Sequence, residues 1–435
     1  MNLSEKLNAI DSYPFHMPGH KRNSDFQIPC AKIDITEING FDNLHNPTEM
    51  LADMQKDLAE IYGYKKSIIS VNGSTCCILA AVSALCRKGD KIIIARNCHK
   101  SVYNACFINN LDVVYIEPEY DYEFGVYTRI NQSTVDEAVK ESPDACAVVI
   151  TSPTYEGFIS RINCPIPLII DAAHGAHFGL CDYLPKKQEA DIVIQSLHKT
   201  LPALTQTAVV HINNEKYYYQ VKKYMDIFES SSPSYVLLSS VDRCIDFLKN
   251  RKSFFERYKT LLEDFYSKAE RLNNIKLLKN DDKSRIVVMS NSFSGVDLAD
   301  ILRSKYNIEA EGATLNYIIL ISTVCDTAEG FKRLYNALSE TDRQEDSFTA
   351  YCKKPSIPEK IFNSYDINCG NPCDLNNCID KISAEYVFAY PPGIPIIVPG
   401  EKISKATVEE INGLIVNGVN IISDSSLLPN KILVY

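Results

Sequence analysis

"ADIVIQSLHKT", residues 190–200, runs from an apolar, β-branched stretch directly into a histidine and a lysine. A stretch of this kind reads as a strand buried on both faces. An ammonium group at its end costs several kcal/mol unless it is paired or used. Lys199 is therefore either a solvated strand end or a working group, and the flanking sequence must decide between them.

Six further runs share the pattern: "SIISV" (67–71), "KIIIA" (91–95), "DVVYI" (112–116), "CAVVI" (146–150), "PLIID" (167–171) and "TAVVH" (207–211). Most are separated by stretches that can hold a helix. Continuous apolar strands alternating with helices predict an α/β domain whose seven-stranded, mainly parallel sheet is covered by helices. From about residue 236 the pattern changes to amphipathic helix in "YVLLSSVDRCIDFLKN" and "RKSFFERYKTLLEDFYSKAERLNN". "KSRIVVMS", "YIILIST" and "TAEGFKRLYNALSE" follow. The expected division is a large domain over residues 1–248 and a smaller α+β domain over 249–435.

Composition narrows the function. The 435 residues, 45% of them apolar, are enough for two cores, and a net charge of −10 offers no basic field for nucleic acid or an anionic membrane. No run approaches the roughly 20 apolar residues of a membrane span, and "MNLSEKLNAIDSYPF" has no cationic, apolar signal region. A cytoplasmic protein with reduced thiols is expected. Of the fifteen cysteines, Cys369, Cys373 and Cys378 come nearest to metal spacing, but no second matching pair follows. They read as loop cysteines, and no metal is expected.

Ligands of open α/β sheets collect beyond the carboxyl ends of the strands. Gly73, Ser74 and Thr75 follow the first strand and open an apolar helix: a phosphate cradle, or ordinary N-capping residues. His99 follows the second and is either a flat ring for stacking or a surface or core histidine. Asp171 ends a buried strand as a carboxylate in need of a cation, or as a turn cap, with His174 and His177 just beyond it. Ser196, His198 and Lys199 complete the set. Pyridoxal phosphate uses all of these groups together: a lysine for its Schiff base, a carboxylate for its ring nitrogen, a ring against its face, and donors around its phosphate. Burial beside that cationic system should lower the pKa of Lys199.

The segments "FHMPGHKR" (15–22), "GFDNLHNPTE" (40–49), "VNGST" (71–75), "RNCHKSV" (96–102), "TSPTYEG" (151–157), "DAAHGAHFG" (171–179), "SLHKTLPALTQ" (196–206), "SSSPSY" (230–235) and "YPPGIPIIVPGE" (390–401) occur in this order. Their order resembles that of the pyridoxal-phosphate-dependent ornithine/lysine/arginine decarboxylases of bacterial type, which have the aspartate-aminotransferase fold (type I). The resemblance implies that Lys199 carries the cofactor, His99 stacks on its ring and Asp171 pairs with the ring nitrogen. Ala173 packs on the opposite face, His174 lies near the ring hydroxyl, and Ser74, Thr75, Ser196 and His198 hold the phosphate. It also implies a homodimer with shared sites, in which Ser231 or Ser232 reaches the partner's phosphate. Because "FHMPGHKR" lies so near Met1, the receiver-like domain of larger members is expected to be missing.

The expected reaction is decarboxylation of arginine, lysine or ornithine to the corresponding amine, for polyamine biosynthesis. Glu385, and less so Glu401, are candidates for the substrate's cationic end. An aminotransferase or another α-carbon lyase is the alternative. Transamination is disfavoured because no arginine follows Arg343 to clamp the α-carboxylate, which leaves Arg285 as a candidate. A catalytically silent homologue is opposed by the intact Lys199, Asp171 and His99.

Overall fold

The computed structural model describes residues 2–342, 348, 353–389 and 393–435. Tyr390, Pro391 and Pro392 of the "YPPG" motif lie outside the described residues. The chain forms two compact units, each built from two stretches: Met1–Leu85 with Pro167–Arg257, and Cys86–Ile166 with Tyr258–Tyr435.

All seven expected strands are present. The first unit holds four of them, in the order Lys66–Ser70, Ala208–Ile212, Ile192–Ser196, Leu168–Asp171. Leu168–Asp171 and Ile192–Ser196 run parallel, whereas Ala208–Ile212 is antiparallel to both of its neighbours. The helix Gly73–Leu85 packs against Ile192–Ser196, Ala208–Ile212 and the helix Tyr218–Phe228. Its run of Ala, Cys and Ser lets it sit between sheet and helix, and seven of its thirteen residues are buried. It is therefore apolar nearly all round.

An N-terminal helix, Leu3–Asn8, docks on Tyr235–Lys249: the backbone N–H of Ser4 donates to Asp242 at 2.9 Å and its hydroxyl donates to the Ser239 carbonyl at 3.1 Å. The "GFDNLHNPTE" segment is organised by Asp42. Its carboxylate accepts from the backbone N–H groups of Asn43, Thr48, Glu49 and Leu51. Burial pushes the Asp42 carboxyl up, but those four donors outweigh it and hold the pKa below the usual value.

The second unit holds the other three strands, Val148–Thr151, Lys91–Ala95 and Asp112–Ile116, all parallel. It adds an antiparallel sheet ordered Ile275–Leu277, Arg285–Ser290, Tyr317–Ile321, Gly312–Ala313. A C-terminal core collects Leu375, Val387, Ile397, Ile403, Ile411 and Ile432 under the helix Lys405–Val416. Two cysteine expectations are corrected here. Cys86 and Cys146 form a disulfide, because the end of one helix and the start of a strand bring their Cα atoms to 5.7 Å. Cys373 lies on the strand Asn371–Asp374, paired with Lys431–Val434, and not in a loop.

Candidate active site

Parallel pairing places Asp171 opposite Ile194, so its strand and the lysine strand end side by side. The Asp171 carboxyl is 3% exposed. Burial raises its pKa against the pull of Lys199 and of the Ala173 N–H, which donates to Asp171 Oδ1 at 3.0 Å. A carboxylate so placed would hold a cation strongly. Two residues beyond Ile194, Ser196 caps the single helical turn Leu197–Thr200 that carries Lys199.

Lys199 Nζ lies 3.0 Å from His174 Nε2. An ammonium has no acceptor, so Nε2 is the acceptor and a neutral His174 carries its proton on Nδ1. The Ser196 and Thr200 hydroxyls are buried with no hydrogen-bond partner. Two unsatisfied hydroxyls flanking the lysine turn are a preformed place for an anion's oxygens. His198 Nδ1 lies 2.9 Å from the Thr207 carbonyl and must donate to it, so Nε2 can donate only in the cationic form. Burial, and then Lys199, lower the His198 pKa.

The cradle residues join this turn through Gln206 and Thr207. The Gly73 N–H donates to the Gln206 carbonyl at 2.8 Å, and the Leu197 N–H donates to the Thr207 carbonyl at 3.0 Å. Gly73 adopts φ +77°, a left-handed conformation that any side chain would strain. Ser74 is half-buried and Thr75 exposed in the first turn of Gly73–Leu85, where backbone N–H groups have no intrahelical acceptor. Beneath them the buried Glu229 accepts from the Ser70 hydroxyl (2.6 Å) and the Val71 N–H (3.0 Å).

Asp171, Ala173, His174, Ser196, His198, Lys199 and Gly73 are thus brought together in the first unit. His99 belongs to the second unit, where it follows Lys91–Ala95 and caps Lys100–Ile108, its Nδ1 accepting from the Ser101 N–H at 3.2 Å. Ser231 and Ser232 are exposed in the turn before Tyr235–Lys249, and the cap of that helix is Ser234. Glu385 is buried in the second unit with both carboxylate oxygens accepting backbone N–H groups, from Leu433 at 2.6 Å and from Ser425 at 2.8 Å. Glu401 is buried there too, paired with Arg96 at 3.1 Å. Arg285 is fully buried at the start of its strand.

A buried chain behind the site went unread in the sequence. Gln195 Nε2 donates to the Gly175 carbonyl at 2.9 Å, and Gln195 Oε1 accepts from His211 Nε2 at 3.0 Å. His211 Nδ1 in turn accepts from the Ser67 hydroxyl at 2.7 Å. Burial pushes the His211 pKa down to about 3, so the ring is neutral near pH 7, with Nε2 the donor and Nδ1 the acceptor in this chain. The chain fixes the backbone next to His174. The available signal was one glutamine in "DIVIQ" and one histidine in "TAVVH", polar residues inside otherwise apolar strands.

Residues 5–290 match the family model described as Orn/Lys/Arg decarboxylase, major domain, and residues 341–415 match the C-terminal domain of the same family. The chain is 31% identical over 464 residues to the uncharacterized protein YaaO of Bacillus subtilis, covering 98% of this chain and 96% of that one. It is 30% identical over 443 residues to an arginine decarboxylase of Bacillus subtilis, covering 91% of this chain and 89% of the relative. Among solved structures, the Francisella novicida lysine decarboxylase LdcF superposes with a TM-score of 0.82 at 17% identity, covering 99% of this chain and 80% of that one. That likeness is one of fold.

Proposed function

The chain belongs to the Orn/Lys/Arg decarboxylase family, and from that premise we propose that it removes the α-carboxylate of a basic amino acid as CO2 and releases the corresponding amine, a polyamine precursor. The observation that carries the proposal is the grouping of the buried Asp171 with the half-buried His174 and Lys199, with Lys199 Nζ 3.0 Å from His174 Nε2. Arginine is the first substrate to test, since an arginine decarboxylase is matched over nine-tenths of this chain.

Pyridoxal phosphate fits the residues present. Ser196 and Thr200 offer buried, unsatisfied hydroxyls to its phosphate, together with the first-turn N–H groups after Gly73. Asp171 offers a buried carboxylate to its ring nitrogen, and Lys199 the amine that holds it. When bound, this cofactor supplies an electron sink for the pair left at the α-carbon. His174 Nε2 is placed to take or return a proton at Lys199 Nζ, and the two form the candidate donor of the proton that replaces CO2 at the α-carbon. The Gln195–His211–Ser67 chain keeps the backbone at Gly175 fixed while that proton moves.

His99 is the stacking ring in this proposal. Ser231 and Ser232, being exposed, are free to reach a partner's phosphate in a homodimer. A cytoplasmic location is part of this reading: twelve described cysteines are free thiols beside the Cys86–Cys146 disulfide. Among the described residues no helix is long and apolar enough to cross a membrane. The transaminase alternative gains nothing from Arg285, whose side chain is buried away from solvent. CO2 release from arginine, lysine and ornithine, each supplied alone, tests the reaction. Sedimentation of wild type and of the double Ser231→Ala, Ser232→Ala variant tests the dimer: paired loss of cofactor and association is expected, and a fully active monomer would contradict the shared site.

A further inference from the structure

The second unit contains a cavity of about 400 Å3 that includes none of the residues assigned above to the cofactor. Its size lies within the ordinary range for small-molecule sites, about 300–1,000 Å3. Leu315, Tyr317, Pro355, Ala406 and Leu414 give it hydrocarbon walls. Charged side chains on its lining are mostly committed elsewhere: Lys354 pairs with Glu117 at 2.8 Å and Glu409 with Lys405 at 3.5 Å. Glu410 is different. It lines the cavity half-buried from the helix Lys405–Val416, and among the described residues no hydrogen bond or ion pair reaches its carboxyl.

We propose that this cavity binds an alkyl amine, with the ammonium against Glu410 and the hydrocarbon against Leu315, Pro355 and Leu414. An apolar pocket with one uncommitted acid selects a ligand with one cationic end and an apolar body. Burial has pushed the Glu410 carboxyl up to about 7, against the opposing pull of Arg96 and Lys353. Arg96 is spent on Glu401, and Lys353 is exposed at the rim. Tyr317 on the lining and Tyr127 near Glu410 are titratable neighbours too, and burial raises both phenols, so neither carries charge near pH 7.

The test is calorimetric titration of the holoenzyme with n-pentylamine at pH 7, in two buffers of different ionisation enthalpy. This probe is neither substrate nor product, so failure of the site and failure of the proposed reaction are read separately. The expected result is one cavity site per chain that releases roughly half a proton, because a carboxyl near 7 must ionise fully to meet the cation. Glu410→Gln should weaken this site about tenfold or more and abolish the proton release. Gly413→Leu should block it sterically: Gly413 lines the cavity from a helix, and a Cβ there meets nothing within 4 Å, so the fold tolerates the change. Exchange of the amine at Lys199 is common to all three proteins and forms the background. Absence of a variant-sensitive site, or binding that either substitution leaves intact, would overturn the proposal.

Discussion

Lys199 Nζ and His174 Nε2 face each other at 3.0 Å, a lysine from the turn after one strand and a histidine from the loop after its parallel neighbour. Neither position is local to the other, so the pair exists only because the two strands end in register. With the proton of His174 on Nδ1, Nε2 can accept from Nζ, and His174→Ala removes that acceptor while leaving Lys199, Asp171, Ser196 and Thr200 in place. The variant should keep its cofactor absorbance and lose about 10²-fold in kcat. An unchanged kcat would take His174 out of proton transfer.

Asp171→Asn should fold normally, since the asparagine can still accept from the Ala173 N–H. What it loses is the buried negative charge. Cofactor binding should weaken only modestly while turnover falls by about 10³-fold or more, measured as CO2 release at saturating cofactor. Retained turnover would remove Asp171 from the reaction.

His211 makes stability depend on pH. Its pKa is about 3 in the fold and about 6.5 when unfolded, so between these values the unfolded chain binds the extra proton. Its contribution is fully present above pH 6.5 and declines as pH falls toward 3, by roughly 1.4 kcal/mol per pH unit. Denaturant unfolding of wild type and His211→Gln at pH 7.5 and 5.5 should show a shallower pH slope in the variant. Equal slopes would contradict the neutral, hydrogen-bonded His211.

The Arg96–Glu401 pair is buried on both sides, and Arg96 also donates to the Tyr103 hydroxyl and the Pro395 carbonyl. Removing one partner leaves a buried charge uncompensated, so Glu401→Gln should lower unfolding free energy by about 3–5 kcal/mol. A thermal melt of apoprotein and holoprotein reads this, and the loss should appear in both. Were the variant as stable as wild type but weaker in substrate KM, Glu401 would be a substrate contact and not a structural one.

The strands, and the residues proposed here for the cofactor, are marked in the sequence for one reason: each is announced locally. An apolar, β-branched run marks a strand buried on both faces, and Asp171, Ser196 and Lys199 stand immediately after such runs. Gln195, His211 and Ser67 carry no such mark. His211 sits directly opposite Ser67 on one neighbouring strand and opposite Val193 on the other, so its partners are fixed by a register between segments up to 144 residues apart. Glu385 shows the same limit from the other side. As an acid in a recognisable motif it reads as a candidate for a cationic substrate, and only the tertiary placement of Ser425 and Leu433 reveals two backbone donors on its oxygens.

The fate of the α-carbon separates decarboxylation from every other reaction proposed at Lys199. Holoenzyme incubated separately with arginine, lysine and ornithine, with products identified by mass spectrometry, should convert at least one of them to the amine that is lighter by CO2, and Lys199→Ala should produce none. A 2-oxo acid in place of the amine, or full turnover by Lys199→Ala, would contradict it.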